Sequence, residues 1–162
     1  MPRVYTQAFP FVGAVIQKDG KFLLVQEYAK GNLKTDDRKW SQPGGWPKGG
    51  EHPIDAVRRE VKEETGLDFE PTALVGIYSL VRNDLTESHG ATPHAYKFIF
   101  RGTIKGNESI DPEEIRALGW FTPDEIYTLE RATLRHIDVK QEVRDFLTGR
   151  SFPLEIIRHT VS

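Results

Sequence analysis

The sequence predicts an α/β fold of the α+β kind, with several mostly antiparallel strands and at least two flanking helices in one domain. Three observations point there. Apolar, β-prone runs recur at residues 11–17, 22–26, 73–81, 95–104 and 117–121. Residues 53–66 carry helical start and stop signals around an uninterrupted run. Val139, Val143, Phe146 and Leu147 fall at i, i+4, i+7 and i+8, the spacing of one apolar helix face that ends at Gly149. No repeat, linker or low-complexity stretch divides the chain, so a single domain over 1–162 is expected.

Each element follows from local chemistry. The runs 11–17 and 22–26 flank Asp19-Gly20, a hairpin turn signal, and read as two antiparallel strands. Residues 29–39 turn polar and mixed in charge, with Gly31 and Asp36-Asp37, and read as an exposed loop. Trp40, Ser41 and Gln42 lead into Pro43-Gly44-Gly45, a backbone breaker. After Gly49-Gly50, Pro53 suits the first helical position, His52 the cap before it, and Gly66 the stop. A strand at 73–81, a polar loop at 82–93 and an alternating strand at 95–104 come next. The strand at 117–121 precedes a short helix at 123–129.

Composition narrows the function. Twenty-four acidic and 22 basic side chains leave a net charge of -2, too balanced for a general binder of nucleic acid or membrane surface. The absence of cysteine excludes disulfides, thiolate metal sites and cysteine nucleophiles. Residues 1–8 hold no secretory apolar region, and no run approaches the roughly 18 apolar residues of a membrane helix. A cytoplasmic protein is expected.

The acids are concentrated. Between Glu51 and Glu70 there are seven, against three bases, Arg58, Arg59 and Lys62. On a helix, Glu60, Glu63 and Glu64 share one edge, beside an apolar stripe of Ile54, Val57 and Val61. Carboxylates crowded this way repel one another unless cations intervene, and hard oxygen donors at that spacing suit Mg²⁺ or Mn²⁺. Gly45, five residues, Glu51, seven residues, then Arg59-Glu60-Val61-Lys62-Glu63-Glu64-Thr65-Gly66-Leu67 resembles the Nudix box, G-x5-E-x7-R-E-U-x-E-E-x-G-U with U apolar. Chance alone produces such a match with probability on the order of 10⁻⁹ per starting point.

The resemblance implies the Nudix fold, a mixed β-sheet sandwiched between α-helices, with the motif at 45–67 as loop, helix and loop. It also implies Mg²⁺-dependent hydrolysis of a pyrophosphate bond, with Mn²⁺ as substitute. In that reading Glu60, Glu63, Glu64 and the carbonyl of Gly44 hold metal. Arg59 orients the glutamates, Glu51 ties helix to loop or reaches a metal through water, and Gly45 and Gly66 support the motif. Glu60 or Glu63 from the box, or Glu114 ahead of Trp120, supplies the base. Trp46, Tyr28, Tyr78 and Tyr96 are the aromatic groups available for stacking on a substrate ring, and Arg82, Lys39, His94 and Lys97 the cations available to phosphate.

The tail, from Leu134-Arg135 through Phe152-Pro153-Leu154-Glu155-Ile156-Ile157, is similar to bacterial Nudix phosphatases of nucleoside tri- and diphosphates and hydroxymethylpyrimidine pyrophosphate. That subgroup tends to have alanine and histidine where Gly44 and Trp46 stand. The expected substrate is a small nucleoside di- or triphosphate, and the expected state a monomer or homodimer. The alternative is a nucleoside diphosphate sugar or alcohol; an RNA 5′ end or a non-catalytic nucleotide sensor fits the residues less well.

Overall fold

The structure, a computed structural model, describes residues 8–28 and 37–162. Residues 1–7, most of the 1–8 stretch read above as lacking a secretory apolar region, and 29–36, most of the 29–39 loop, lie outside the described residues. In chain order the elements are β1 (Ala8–Val15), β2 (Gln17–Lys18), β3 (Lys21–Glu27), β4 (Trp40–Ser41), β5 (Gly44–Gly45) and α1 (Pro53–Thr65). After these come β6 (Asp68–Val81), α2 (Thr86–His89), β7 (His94–Lys105), β8 (Ile115–Phe121), α3 (Pro123–Thr128) and α4 (Val139–Leu147). No helix of the described residues is long and apolar enough to cross a membrane.

Two four-stranded sheets make the middle layer. One runs in the order β5-β1-β7-β6, and in the other β3 pairs with β2, β4 and β8. The first apolar run therefore serves both sheets. Val12 and Gly13 pair with β5 and the whole of β1 lies parallel to β7, while Gln17 and Lys18 turn at Asp19-Gly20 to pair with β3. The expected hairpin is only this short end of the run; the parallel β1–β7 pair needs partners more than 80 positions apart, which local turn signals do not encode.

Side-chain alternation divides the core between the two faces. Val12, Ala14, Leu23, Leu74 and Phe100 pack with Ala56, Val57 and Val61 of α1. Phe11, Val15, Phe22, Leu24, Val75 and Ile99 turn the other way, against Ile126 of α3 and Val139 and Val143 of α4. Helices thus cover both faces, as the resemblance implies. Leu147, assigned to the apolar face of α4, is 46% exposed at the helix end. The 82–93 segment is more ordered than a polar loop, since a 3₁₀ turn at Asn83–Leu85 and α2 occupy it and Leu85 is buried.

Candidate active site

α1 presents its acids where β5 enters the motif. His52 caps the helix, its Nδ1 accepting from the Ile54 N–H at 3.1 Å, and Gly66 closes it in the left-handed conformation, φ 76°. Arg59 ties the loop to the helix. Its Nε and Nη2 donate to the two oxygens of Glu51 at 2.8 and 2.9 Å, Nη1 to Glu60 at 2.7 Å and Glu63 at 3.1 Å, and Nη2 to the Trp46 carbonyl at 3.2 Å. Glu51 also accepts from the Lys48 N–H at 2.8 Å, so one ion pair holds the ring of backbone from 46 to 51.

Two glycines let the acids approach the sheet. A Cβ on Gly45 would stand 2.4 Å from Oε2 of Glu60, and one on Gly44 2.2 Å from the Val12 carbonyl oxygen. Glu64 is 5% exposed, and its Oε2 accepts from the Gly44 N–H at 2.8 Å. Glu63, in contrast, is half exposed at the outer side of the edge.

A fourth acid joins them from the sheet. Glu27, at the end of β3, hydrogen-bonds the carboxyl of Glu64 and adds its field at Glu60. The guanidinium of Arg135 also bonds it. No motif flags Glu27, but strand alternation does, because Leu23 faces α1 and Val25 and Glu27 continue the same side of β3. The register shift opposite Gln26 and Glu27 falls on β8, where Ala117 and Ile115 are the successive partners, so β3 keeps its alternation.

The electrostatics follow from this crowding. Burial raises the Glu64 carboxyl well above the usual range, and the hydrogen bond and charge of Glu27 push the same way, against the Gly44 N–H. Glu60 is raised by burial, with Arg59 opposing. Glu51 is held down to about 2, chiefly by its hydrogen bond from Arg59. His136 is pushed well below its ordinary value by burial and by the charges of Lys97, Arg135 and Arg82, which keeps the imidazole neutral at neutral pH.

A cavity of about 430 Å³ opens beside the acids, bounded by Glu27, Gly44, Gly45 and Trp46 and, opposite, by Arg82, Arg135 and His136. Trp46 is 61% exposed and stacks on Phe9 at 4.9 Å between centroids, 13° from parallel. Arg82 borders the same space and is bonded to Asp84 through Nε and Nη2.

Other residues singled out from the sequence stand elsewhere. Tyr28 lies under the Arg116 guanidinium, 4.5 Å from it, and Tyr78 donates to Asp145 at 2.8 Å; neither borders the cavity. Tyr96 is 47% exposed and packs on His94, while His94 itself reaches the cavity wall. Glu114 sits on the exposed turn before β8, its carbonyl accepting from the Tyr28 N–H, and does not border the cavity. Lys97 is fully buried and bonds Asp138 at 2.7 Å and Glu142 at 2.6 Å, so it is spent inside the fold and is not offered to phosphate.

Known proteins share this layout. A NUDIX domain model matches residues 8–143. Phosphatase NudJ of Escherichia coli K12 is 28% identical over 148 residues, covering 90% of this chain and 88% of its own length. Among solved structures, a NUDIX hydrolase from Nitrosomonas europaea is 34% identical with a TM-score of 0.72, covering 95% of this chain and 98% of its own. An ADP-ribose pyrophosphatase from Streptococcus suis is 28% identical with a TM-score of 0.61, over 90% of this chain and 94% of its own. With the family pattern matched from β1 into α4 around the glutamate helix, the chain belongs to the NUDIX family and is a Nudix hydrolase.

Proposed function

We propose that the chain, acting as one domain, hydrolyses a phosphoric anhydride bond in a small nucleoside di- or triphosphate with Mg²⁺, or Mn²⁺ in its place. The observation that carries this reading is the meeting of Glu60, Glu64 and Glu27 at Gly44-Gly45, on the wall of a cavity that also offers an exposed aromatic ring. The donor set fits a divalent cation. Two carboxyls hydrogen-bonded to each other in a buried place are all hard oxygen, and a doubly charged ion relieves their repulsion better than a shared proton. Among the described residues no three His, Asp or Glu side chains stand as a closed ligand group, and Arg59 bonds Glu60 and Glu63 while Arg135 bonds Glu27.

Glu60, Glu63, Glu64 and the Gly44 carbonyl would hold the ion, which would supply charge neutralisation at the phosphate oxygens and a lowered pKa for bound water. The remaining work falls to the chain. Arg59 fixes the direction of Glu60 and Glu63, and a carboxylate of this edge takes the proton of the attacking water as the anhydride P–O bond breaks. Trp46, supported by Phe9, receives a flat ring, and Arg82 and Arg135 face the phosphates across the cavity. A cavity of about 430 Å³ falls within the ligand-site range of roughly 300–1,000 Å³.

A panel of nucleoside tri- and diphosphates, hydroxymethylpyrimidine pyrophosphate, ADP-ribose, UDP-sugars and a 5′-triphosphorylated oligonucleotide tests this. Release of inorganic phosphate or pyrophosphate from the small nucleotides is expected, abolished by chelation and reduced at least about 100-fold in Glu63→Gln or Glu64→Gln. Turnover that survives full chelation would overturn it. A nucleoside monophosphate plus a phosphorylated partner would instead favour the conjugate reading that the ADP-ribose pyrophosphatase relative suggests.

A further inference from the structure

We infer that Glu27, contributed by the sheet and absent from the helix motif, is a further acid of the divalent-cation site. The inference rests on the metal-dependent reading above. Three placements support it. Glu27 continues the face of β3 that Leu23 turns toward α1, so its carboxyl is aimed at the glutamate edge by the strand itself. It hydrogen-bonds Glu64 directly and is felt at Glu60, and it borders the cavity together with Gly44 and Gly45. Its outward oxygen is held by Arg135, whose own backbone N–H is bonded to the Trp40 carbonyl at 2.9 Å.

A purely structural Glu27–Arg135 pair has no need of Glu64. Setting one acid against another buried acid costs stability, and a cation bound between groups of that kind recovers more of the cost than a shared proton does. Arg135 answers the charge of Glu27 from one side, while on the other the Glu64 carboxyl bonds Glu27 and accepts from the Gly44 N–H. Glu27 is thus placed to share a divalent cation with Glu60 and Glu64, in addition to whatever Glu63 supplies from the exposed end of the edge.

Mn²⁺ titration followed by loss of the free-ion EPR signal measures this without turnover. Wild type, Glu27→Gln, Glu27→Asp, Glu64→Gln and the exposed control Glu155→Gln are compared, each checked for folding by circular dichroism. At least tenfold weaker Mn²⁺ binding is expected in Glu27→Gln, with Glu155→Gln unchanged. Glu27→Asp, which keeps the charge but withdraws it by one methylene, is expected to bind at least threefold more weakly and decides the matter if Glu27→Gln does not fold. A folded Glu27→Gln or Glu27→Asp that binds Mn²⁺ as wild type does, while Glu64→Gln is impaired, overturns the role of Glu27 alone. Failure of the wild type to bind Mn²⁺, or an unaffected Glu64→Gln, overturns the metal-dependent reading itself.

Discussion

Arg59 bonds three carboxylates and a backbone carbonyl, and its partner Glu51 shows what that arrangement contributes to stability. The Glu51 carboxyl is ordinarily near 4.5 and is depressed to about 2 in the folded chain. A depressed acid stabilises the fold above its unfolded pKa and loses that contribution as the pH falls through its folded value. Glu51→Gln should therefore cost about 1–2 kcal/mol at pH 7, after solvent screening, and flatten the loss of stability between pH 4.5 and 2. Urea unfolding at a series of pH values measures both. Trp46 separates binding from folding. Because it is 61% exposed, Trp46→Ala should change stability by less than about 1 kcal/mol, yet raise KM by about fivefold to a hundredfold if a ring stacks there. An unchanged KM would remove Trp46 from the substrate site. The box acids and Arg59 were legible residue by residue, since their spacing along one helix is a local property. Glu27 was legible only in part, since alternation along β3 sets its side but nothing within the sequence around it records that β3 ends beside α1.

At the scale of elements, α1 was legible to within a residue. His52, Pro53 and Gly66 act on their own turn of backbone, so the start and stop of the helix need no knowledge of the rest of the chain. The stop is also where the helix meets a distant loop. Gly66 has φ 76°, and a Cβ there would lie 2.6 Å from the Ser109 backbone nitrogen, which itself bonds the Thr65 carbonyl at 2.9 Å. Gly66→Ala should cost at least about 2 kcal/mol, from the left-handed conformation and the displaced loop together. Chemical denaturation would show it; a loss below 0.5 kcal/mol would mean the Ser109 loop yields freely. The division of the first apolar run between two sheets was not legible. Both halves satisfy the strand pattern, and only the long-range partners, β7 for one and β3 for the other, decide where the chain bends.

Across the whole molecule, the sheet is joined to α4 by a charged contact inside the apolar layer. Lys97 of β7 and Glu142 of α4 are both fully buried and bonded at 2.6 Å, and Asp138 supplies a second acceptor. Removing one partner strands the other, so Lys97→Met should cost about 3–5 kcal/mol, while the double change Lys97→Met with Glu142→Leu should recover most of the loss. A double-mutant cycle in urea measures this; equal losses in the single and double variants would refute it. The sequence by itself determined the α+β class, the glutamate helix and the family to which the chain is similar, because capping, periodicity and motif spacing are all written within a few turns of chain. Tertiary structure alone decided that Lys97 is buried, that Tyr28 and Glu114 stand off the cavity, and that Glu27 meets Glu64. Those outcomes depend on which strands become neighbours, and strand pairing is settled by the burial of the whole core, with no single segment holding enough information to fix it.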